Sequence, residues 1–86
     1  GHATYNYLKH LPLDFVKIDG AFVKDIANND NDLAMVRSMN DMAHYMGIQT
    51  VAEFVESQEI LDRLREIGVD YAQGYGIERP RWLESL

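Results

Sequence analysis

Short apolar segments alternate along this chain with longer amphipathic segments, and this alternation constrains the fold more than any other sequence feature. Apolar and partly β-branched residues predict three short buried strands, at 13–19, 48–53 and 69–73. Strands that are joined by helices of about 10–15 residues predict right-handed crossovers and a parallel sheet. The sequence therefore places the chain in the α/β class, with helices on the outside of the sheet.

The first amphipathic helix is predicted over residues 32–46, with Asn31 or Asp32 as its N-cap and Gly47 just after its end. Its apolar side chains recur at helical spacing and form one broad stripe. They are Leu33, Met35, Val36, Met39, Met42, Ala43 and Met46. We expect this stripe to pack against the sheet. The alternative is an adaptable, methionine-rich surface for a partner.

The second amphipathic helix is predicted over residues 58–67, with Ser57 as its N-cap and Gly68 closing it. Shorter helical segments are predicted over residues 3–9 and 81–86. Both prolines, Pro12 and Pro80, are expected at the edges of elements, because proline ends regular structure. His44 lies off the apolar stripe of the first long helix and is expected to face solvent.

The charge balance excludes several kinds of partner. Eight Lys and Arg residues oppose fourteen Asp and Glu residues, which gives a formal net charge of −6. A nucleic acid polymer needs a basic surface, so we expect no such partner.

No apolar run approaches the ~20 residues that span a bilayer, so we expect no direct membrane insertion in this segment. The chain has no cysteine, which excludes a thiolate zinc site and a cysteine nucleophile.

Polar residues stand at the predicted carboxyl end of each strand. Lys17 and Asp19 end the first strand, Glu53 ends the second and Gln73 ends the third. Because residues two apart in a strand share a face, Lys17 and Asp19 point to the same side. Ligand sites in α/β sheets and barrels lie at the carboxyl ends of the strands. The pattern therefore predicts a site at this edge. The alternative is that these groups cap the strands or pair with one another.

Three motifs resemble those of EAL domains, in the same order and with the same gaps. Residues 7–23 read YLKHLPLDFVKIDGAFV, residues 51–56 read VAEFVE, and residues 70–75 read DYAQGY and are followed by Pro80. EAL domains are bacterial phosphodiesterases that hydrolyse cyclic di-GMP and adopt a modified (β/α)₈ barrel. The resemblance implies a signalling hydrolase of the cytoplasm, either free or as the cytoplasmic part of a membrane-anchored protein.

The same resemblance implies a role for five residues. Lys17 matches the lysine that helps to hold the attacking water and the phosphate region. Glu53 matches a glutamate that binds a metal and is a candidate general base. Gln73 matches a glutamine near the substrate. Glu56 matches a glutamate that stabilises a loop between the site and the dimer contact, and Asp19 matches an aspartate that supports the lysine.

Residues of this kind fit the hydrolysis of a phosphodiester with two metal ions. Carboxylates hold Mg²⁺ or Mn²⁺, and the two ions activate a water molecule and clamp the attacking and leaving oxygens. The lysine offsets charge that develops on the phosphate. The resemblance therefore implies Mg²⁺ or Mn²⁺ as the cofactor of the complete domain and cyclic di-GMP as its substrate.

The chain also departs from the family pattern. Phe54 stands where glycine is the commonest residue, and residues 76–79 differ from the usual small residues. The glutamate of the EAL signature, the metal-binding asparagine and second glutamate, and the paired aspartates have no match in this sequence. We therefore expect residues 1–86 to be the C-terminal fragment of a single EAL domain. Such a fragment is a partial (β/α)₈ barrel of the TIM type, with roughly its last three β/α units and parallel strands.

The unmatched ligands limit what the fragment is expected to do. Glu53 cannot hold a metal pair by itself, so we expect the fragment alone to bind no metal tightly and to be inactive. An uncovered strand edge and an apolar surface predict self-association. Two alternatives remain: a degenerate EAL domain that binds cyclic di-GMP without cutting it, and a free-standing α/β interaction domain without a ligand.

Overall fold

A computed structural model of the chain describes residues 15–74 and 77–85. Four strands, three helices and one 3₁₀ turn follow one another along these residues. They are β1 (Phe15–Ile18), α1 (Gly20–Val23), α2 (Asp30–Tyr45), β2 (Gln49–Ala52), α3 (Gln58–Ile67), β3 (Tyr71–Gly74), β4 (Ile77–Trp82) and a 3₁₀ helix (Leu83–Ser85). The predicted helix over 3–9 and Pro12 lie outside the described residues.

The four strands form one sheet in the order β1-β2-β3-β4. Strands β1 and β2 are parallel, with Phe15 opposite Gln49. Strands β2 and β3 are also parallel, with Val51 opposite Tyr71. The predicted parallel arrangement of three strands joined by helices is therefore confirmed. Strands β2 and β3 have four residues each and are slightly shorter than expected. Residues 13 and 14 of the first predicted strand lie outside the described residues.

The fourth strand corrects the sequence-based expectation for the end of the chain. Pro80 lies inside β4 and not at the edge of an element, and residues 81–82 continue this strand where a helical turn was predicted. Strand β4 pairs antiparallel with β3, with Trp82 opposite Tyr71. It is the last strand of the sheet. A proline is tolerated in an edge strand because only one side of that strand has to supply hydrogen bonds to a neighbour.

Local capping signals explain where the two long helices begin and end. The Ser57 side chain accepts a hydrogen bond from the backbone N of Ile60 at 3.2 Å, and Gly68 takes a left-handed φ of 96°, so both predicted caps of α3 are confirmed. Helix α2 begins at Asp30, two residues earlier than predicted, because the Asn29 side chain accepts from the backbone N of Asp32 at 3.0 Å. Gly47 has the expected positive φ.

The hydrophobic core lies between the helices and one face of the sheet. Ile18, Ala52 and Ala72 project from the strands into this core and are fully buried. Helices α2 and α3 complete it with Val36, Ile60, Leu61, Leu64 and Ile67. No helix within the described residues is long and apolar enough to cross a membrane.

The predicted apolar stripe of α2 faces the core only in part. Val36 and Ala43 are buried, and Leu33 and Met39 pack partly against the core or its edge. The other methionines, Met35, Met42 and Met46, are 49%, 67% and 62% exposed. The apolar pattern did not reveal that Asn40 is buried on the same face.

The opposite face of the sheet is only partly covered. Phe15, Tyr71 and Trp82 share this face. Phe15 and Tyr71 each lie an odd number of positions from the core residue of their own strand, Trp82 lies opposite Tyr71, and neighbouring residues in a strand point to opposite faces. The Phe15 and Tyr71 rings meet edge to face at 5.3 Å, and the Tyr71 and Trp82 rings lie 4.3 Å apart. Phe15 and Trp82 remain 37% and 49% exposed. This face is therefore less completely buried than the helix-covered face.

Candidate functional site

The predicted site residues come together at the carboxyl edge of the parallel strands. Lys17 is the third residue of β1, and the backbone N of Glu53, just beyond β2, donates to the carbonyl of Ile18 at 3.1 Å. The backbone N of Val55 donates to the carbonyl of Gln73 in β3 at 3.0 Å. These two hydrogen bonds hold the segment after β2 between the ends of its neighbours. Lys17, Glu53 and Gln73 therefore stand on adjacent strands at one edge.

Two of these side chains share a cavity. Glu53 and Gln73 line a cavity of about 330 Å³ together with Phe54 and Gly74. Both Glu53 and Gln73 are half-buried, whereas Lys17 is exposed. Lys17 does not line this cavity among the described residues, but it projects from the sheet face that Tyr71 and Gln73 share. The arrangement places a carboxylate and an amide at the cavity and an ammonium group on the adjacent strand.

The lysine and the glutamate keep their hydrogen-bonding capacity open within residues 15–74 and 77–85. Neither the Lys17 ammonium nor the Glu53 carboxylate has a hydrogen bond or ion pair to another described side chain. Charged groups that have no partner among the described side chains are candidates to contact a ligand or an ion. This leaves them able to bind phosphate oxygens and a cation, respectively.

Asp19 has a structural contact that the sequence did not predict. It caps α1, because its side-chain Oδ1 accepts a hydrogen bond from the backbone N of Ala21 at 2.9 Å. The support of Lys17 by Asp19 stays a prediction. The capping contact corresponds to the alternative, in which polar groups at the strand ends satisfy local backbone groups.

Glu56 lies beside the first cavity rather than in it. It lines a second cavity of about 200 Å³ with Gly20, Ala21, Lys24 and Phe54. Glu56 is exposed, as is Lys24. Phe54 is a lining residue of both cavities.

Two glycines allow the segment 53–56 to approach its neighbours. A Cβ atom on Gly74 would lie 2.7 Å from the backbone N of Val55, and the φ of Gly74 is 120°. A Cβ atom on Gly20 would lie 2.3 Å from Cδ2 of Phe54. The sequence alone does not indicate either of these close approaches. The missing signal was the close packing of a distant segment, which no local pattern contains.

The described residues fit only part of a metal centre. No group of three or more His, Asp or Glu side chains that could hold an ion comes together within these residues. Glu53 offers one carboxylate at the cavity, whereas a pair of Mg²⁺ or Mn²⁺ ions takes several oxygen ligands. Glu53 can thus contribute one ligand to a centre whose other ligands come from outside the described part of the chain.

Comparisons with known proteins agree with the geometry. The EAL domain family matches residues 1–80. The cyclic di-GMP phosphodiesterase PdeB of Shewanella oneidensis is 60% identical over 85 residues, which are 99% of this chain and 10% of that protein. The chain therefore spans about a tenth of the length of this relative.

Solved structures show the same likeness in three dimensions. An EAL domain protein from Listeria monocytogenes superposes with a TM-score of 0.71 at 35% identity, over 99% of this chain and 34% of that one. The EAL domain of FimX from Pseudomonas aeruginosa, bound to c-di-GMP, gives 0.71 at 36% identity, over 88% and 31%. This confirms the predicted fold class, a part of a (β/α)₈ barrel with parallel strands. The family match and the structural likeness together show that the chain belongs to the EAL domain family.

Proposed function

We propose that this chain supplies Lys17, Glu53 and Gln73 to the active site of an EAL domain that hydrolyses cyclic di-GMP. The observation that carries the proposal is the meeting of Glu53 and Gln73 in one cavity, beside the strand of Lys17. The proposal is also supported by the 60% identity to a cyclic di-GMP phosphodiesterase. The remaining metal ligands and the rest of the barrel belong to the complete domain.

Each of the three side chains has a distinct task in this proposal. Glu53 would hold one divalent ion, Mg²⁺ or Mn²⁺, through its carboxylate. Divalent ions at such a centre lower the pKa of the bound water and stabilise the attacking and leaving oxygens. Lys17 places its ammonium against the non-bridging phosphate oxygens, where negative charge grows. Gln73 positions the substrate or the attacking water by hydrogen bonds from its amide.

The test requires a complete domain that carries this chain. We therefore define the carrier protein as the Shewanella phosphodiesterase in which this chain replaces the segment that it matches. We expect the carrier protein to open cyclic di-GMP to the linear dinucleotide with Mg²⁺ or Mn²⁺ and to stop when the metal is chelated. Chromatography of the products measures this. A carrier protein that folds and binds metal but releases no linear dinucleotide would contradict the proposal.

The isolated chain is expected to be inactive in the same assay. One carboxylate at the cavity is too few to hold two metal ions, so metal-dependent turnover has no site. Linear product formation by the purified 86-residue chain would contradict this expectation. The alternative, a receptor that binds cyclic di-GMP without cutting it, predicts that the carrier protein binds the dinucleotide and leaves it intact.

We also propose that the isolated chain associates with itself. The partly covered sheet face exposes Phe15 and Trp82, and α2 exposes Met42 and Met46. Contiguous exposed apolar surface and a free strand edge favour association in water. Light scattering over a range of concentrations measures the mass. A mass of one chain at all concentrations would contradict the proposal.

A further inference from the structure

Phe54 combines three properties that rarely occur together in one residue. Its φ is 60°, in the left-handed region, and it is the one described residue other than glycine with a positive φ. Its side chain is 62% exposed. It also lines both cavities at the carboxyl edge of the sheet. A bulky residue in this backbone region is strained, and such strain concentrates at ligand sites.

The surrounding structure holds the Phe54 ring in place from one side. An added Cβ on Gly20 would lie 2.3 Å from Cδ2, 2.7 Å from Cγ and 2.7 Å from Cβ of Phe54, so the near part of the side chain rests on the Gly20 backbone. On either side of Phe54, Glu53 and Val55 are fixed by backbone hydrogen bonds to Ile18 and Gln73. The ring is thus anchored on glycine, while most of its surface stays open.

Burial does not explain this arrangement. A side chain that served only to fill space against Gly20 would be covered on its other side, yet Phe54 is more exposed than Phe15 or Trp82. Capping does not explain it either, because no helix begins or ends at Phe54. Phe54 lines one cavity together with Glu53 and Gln73. A flat, anchored and open aromatic ring beside polar groups is suited to stack on a planar ligand group.

We propose that Phe54 is a specificity residue whose ring stacks on one purine base of the dinucleotide that the site binds. The inference rests on the proposed function, which names the substrate class. Aromatic side chains hold nucleobases by stacking, and the loss of one such ring typically weakens binding by about tenfold. The base on Phe54 would extend away from the phosphate that Glu53 and Lys17 serve.

Three substitutions in the carrier protein separate the ring from the strained backbone. Phe54→Gly removes the ring and relieves the strain, Phe54→Ala removes the ring and keeps the strain, and Phe54→Trp keeps an aromatic surface. Tyr45→Ala is the matched control, because Tyr45 is an aromatic residue that is 93% exposed at the end of α2 and lines no cavity of the site. The Kd for cyclic di-GMP is measured by calorimetry with the metal chelated, and kcat and KM are measured with Mg²⁺.

Stacking predicts that the Gly and Ala variants both raise Kd and KM by about tenfold while kcat changes less than about threefold. The Trp variant and the Tyr45 control should stay within about twofold of the parent. An unchanged Kd in the Gly variant overturns the inference, as does a fall in kcat at constant KM, which would mean that Phe54 only positions Glu53.

The two proposals fail in different ways in this experiment. If the carrier protein binds cyclic di-GMP without cutting it, the hydrolytic function fails, and the change in Kd still decides whether Phe54 stacks. If the carrier protein cuts the dinucleotide and all Phe54 variants bind it equally, the function stands and the stacking is wrong. If the parent carrier protein does not bind the dinucleotide at all, both are wrong.

Discussion

The two ends of the parallel strands use polar residues in opposite ways. At the carboxyl end, Lys17 and Glu53 have no side-chain hydrogen bond to other described side chains. At the amino end, a compact network joins α2 to β2 and β3 through Asn40, Thr50 and Asp70, and the first two are almost fully buried. The difference separates polar groups that hold the described elements together from charged groups that have no partner among the described side chains.

The network at the amino end leaves few polar groups without a partner. Thr50 Oγ1 donates to Asn40 Oδ1 at 2.6 Å, and Asn40 Nδ2 donates to the carbonyl of Ile67 at 3.2 Å. The backbone N of Thr50 donates to Asp70 Oδ2 at 2.9 Å, and His44 Nε2 lies 2.6 Å from the same oxygen. Buried polar groups that are hydrogen-bonded in this way fix the packing of a helix on a sheet.

The largest expected effect separates function from stability at the carboxyl end. Glu53→Gln removes the charge that binds the metal but keeps the size of the side chain, so we expect kcat of the carrier protein to fall by about 10³-fold. Its free energy of unfolding should change by less than about 0.5 kcal/mol, because Glu53 has no ion pair among the described residues. Steady-state kinetics and urea unfolding measure the two quantities.

The matched control at the carboxyl end is Glu59→Gln. Glu59 is an exposed glutamate in the first turn of α3 and lines no cavity of the site. It should leave kcat unchanged. A Glu53 variant that unfolds easily, or one that keeps full turnover, would break the distinction between the two ends.

The next effect is expected at the amino end. Asp70→Ala leaves the buried N–H of Thr50 without its acceptor, and we expect the free energy of unfolding to fall by about 3 kcal/mol. Urea unfolding of the carrier protein measures this. Asp62→Ala is the control, because among the described residues Asp62 bonds to Gln58 and Arg65 on the surface of α3, and its loss should cost less than about 1 kcal/mol. Equal losses in the two variants would show that the network does not hold the sheet.

The smallest effect concerns the exposed end of the same network. His44→Ala removes a contact between a side chain that is 39% exposed and Asp70, which keeps its hydrogen bond from Thr50. We expect a loss of less than about 1 kcal/mol in the free energy of unfolding. Combining His44→Ala with Asp70→Ala should add almost nothing to the loss from Asp70→Ala. If His44→Ala lowers the free energy of unfolding as much as Asp70→Ala, the exposed contact between His44 and Asp70 contributes more to stability than the hydrogen bond from Thr50 to Asp70.

Sequence reasoning succeeded where the decisive interaction is local. The caps of α3 at Ser57 and Gly68 and the order of strands and helices all depend on residues close together in the chain. The placement of Lys17, Glu53 and Gln73 at one edge followed from the parallel topology, since equivalent strand ends then coincide. Their roles at a catalytic site remain predictions that depend on the family resemblance.

It failed where a distant partner decides. The predicted stripe of α2 included the buried Val36 and Ala43 but also the exposed Met42 and Met46, and it left out Asn40, which is buried and hydrogen-bonds to Thr50 and Ile67. His44 was expected to face solvent, and it is exposed, yet its contact with Asp70 was missed. Strand β4 was missed because Pro80 argues against a strand in the sequence. The proline is tolerated because β4 is an edge strand that pairs with β3.

The sequence by itself determined the three parallel strands, the two long helices between them, the capped ends of α3 and the motifs of the EAL family. Periodicity and capping are properties of neighbouring residues. Only the tertiary structure decided which face of α2 is buried, how β4 pairs and how Phe54 rests on Gly20. Those features depend on hydrogen bonds and close contacts between segments that are far apart in the chain. The burial of Asn40 is favourable only when Thr50 and Ile67 are in place to hydrogen-bond to it. In the same way, the backbone strain at Phe54 persists only because the surrounding structure holds it.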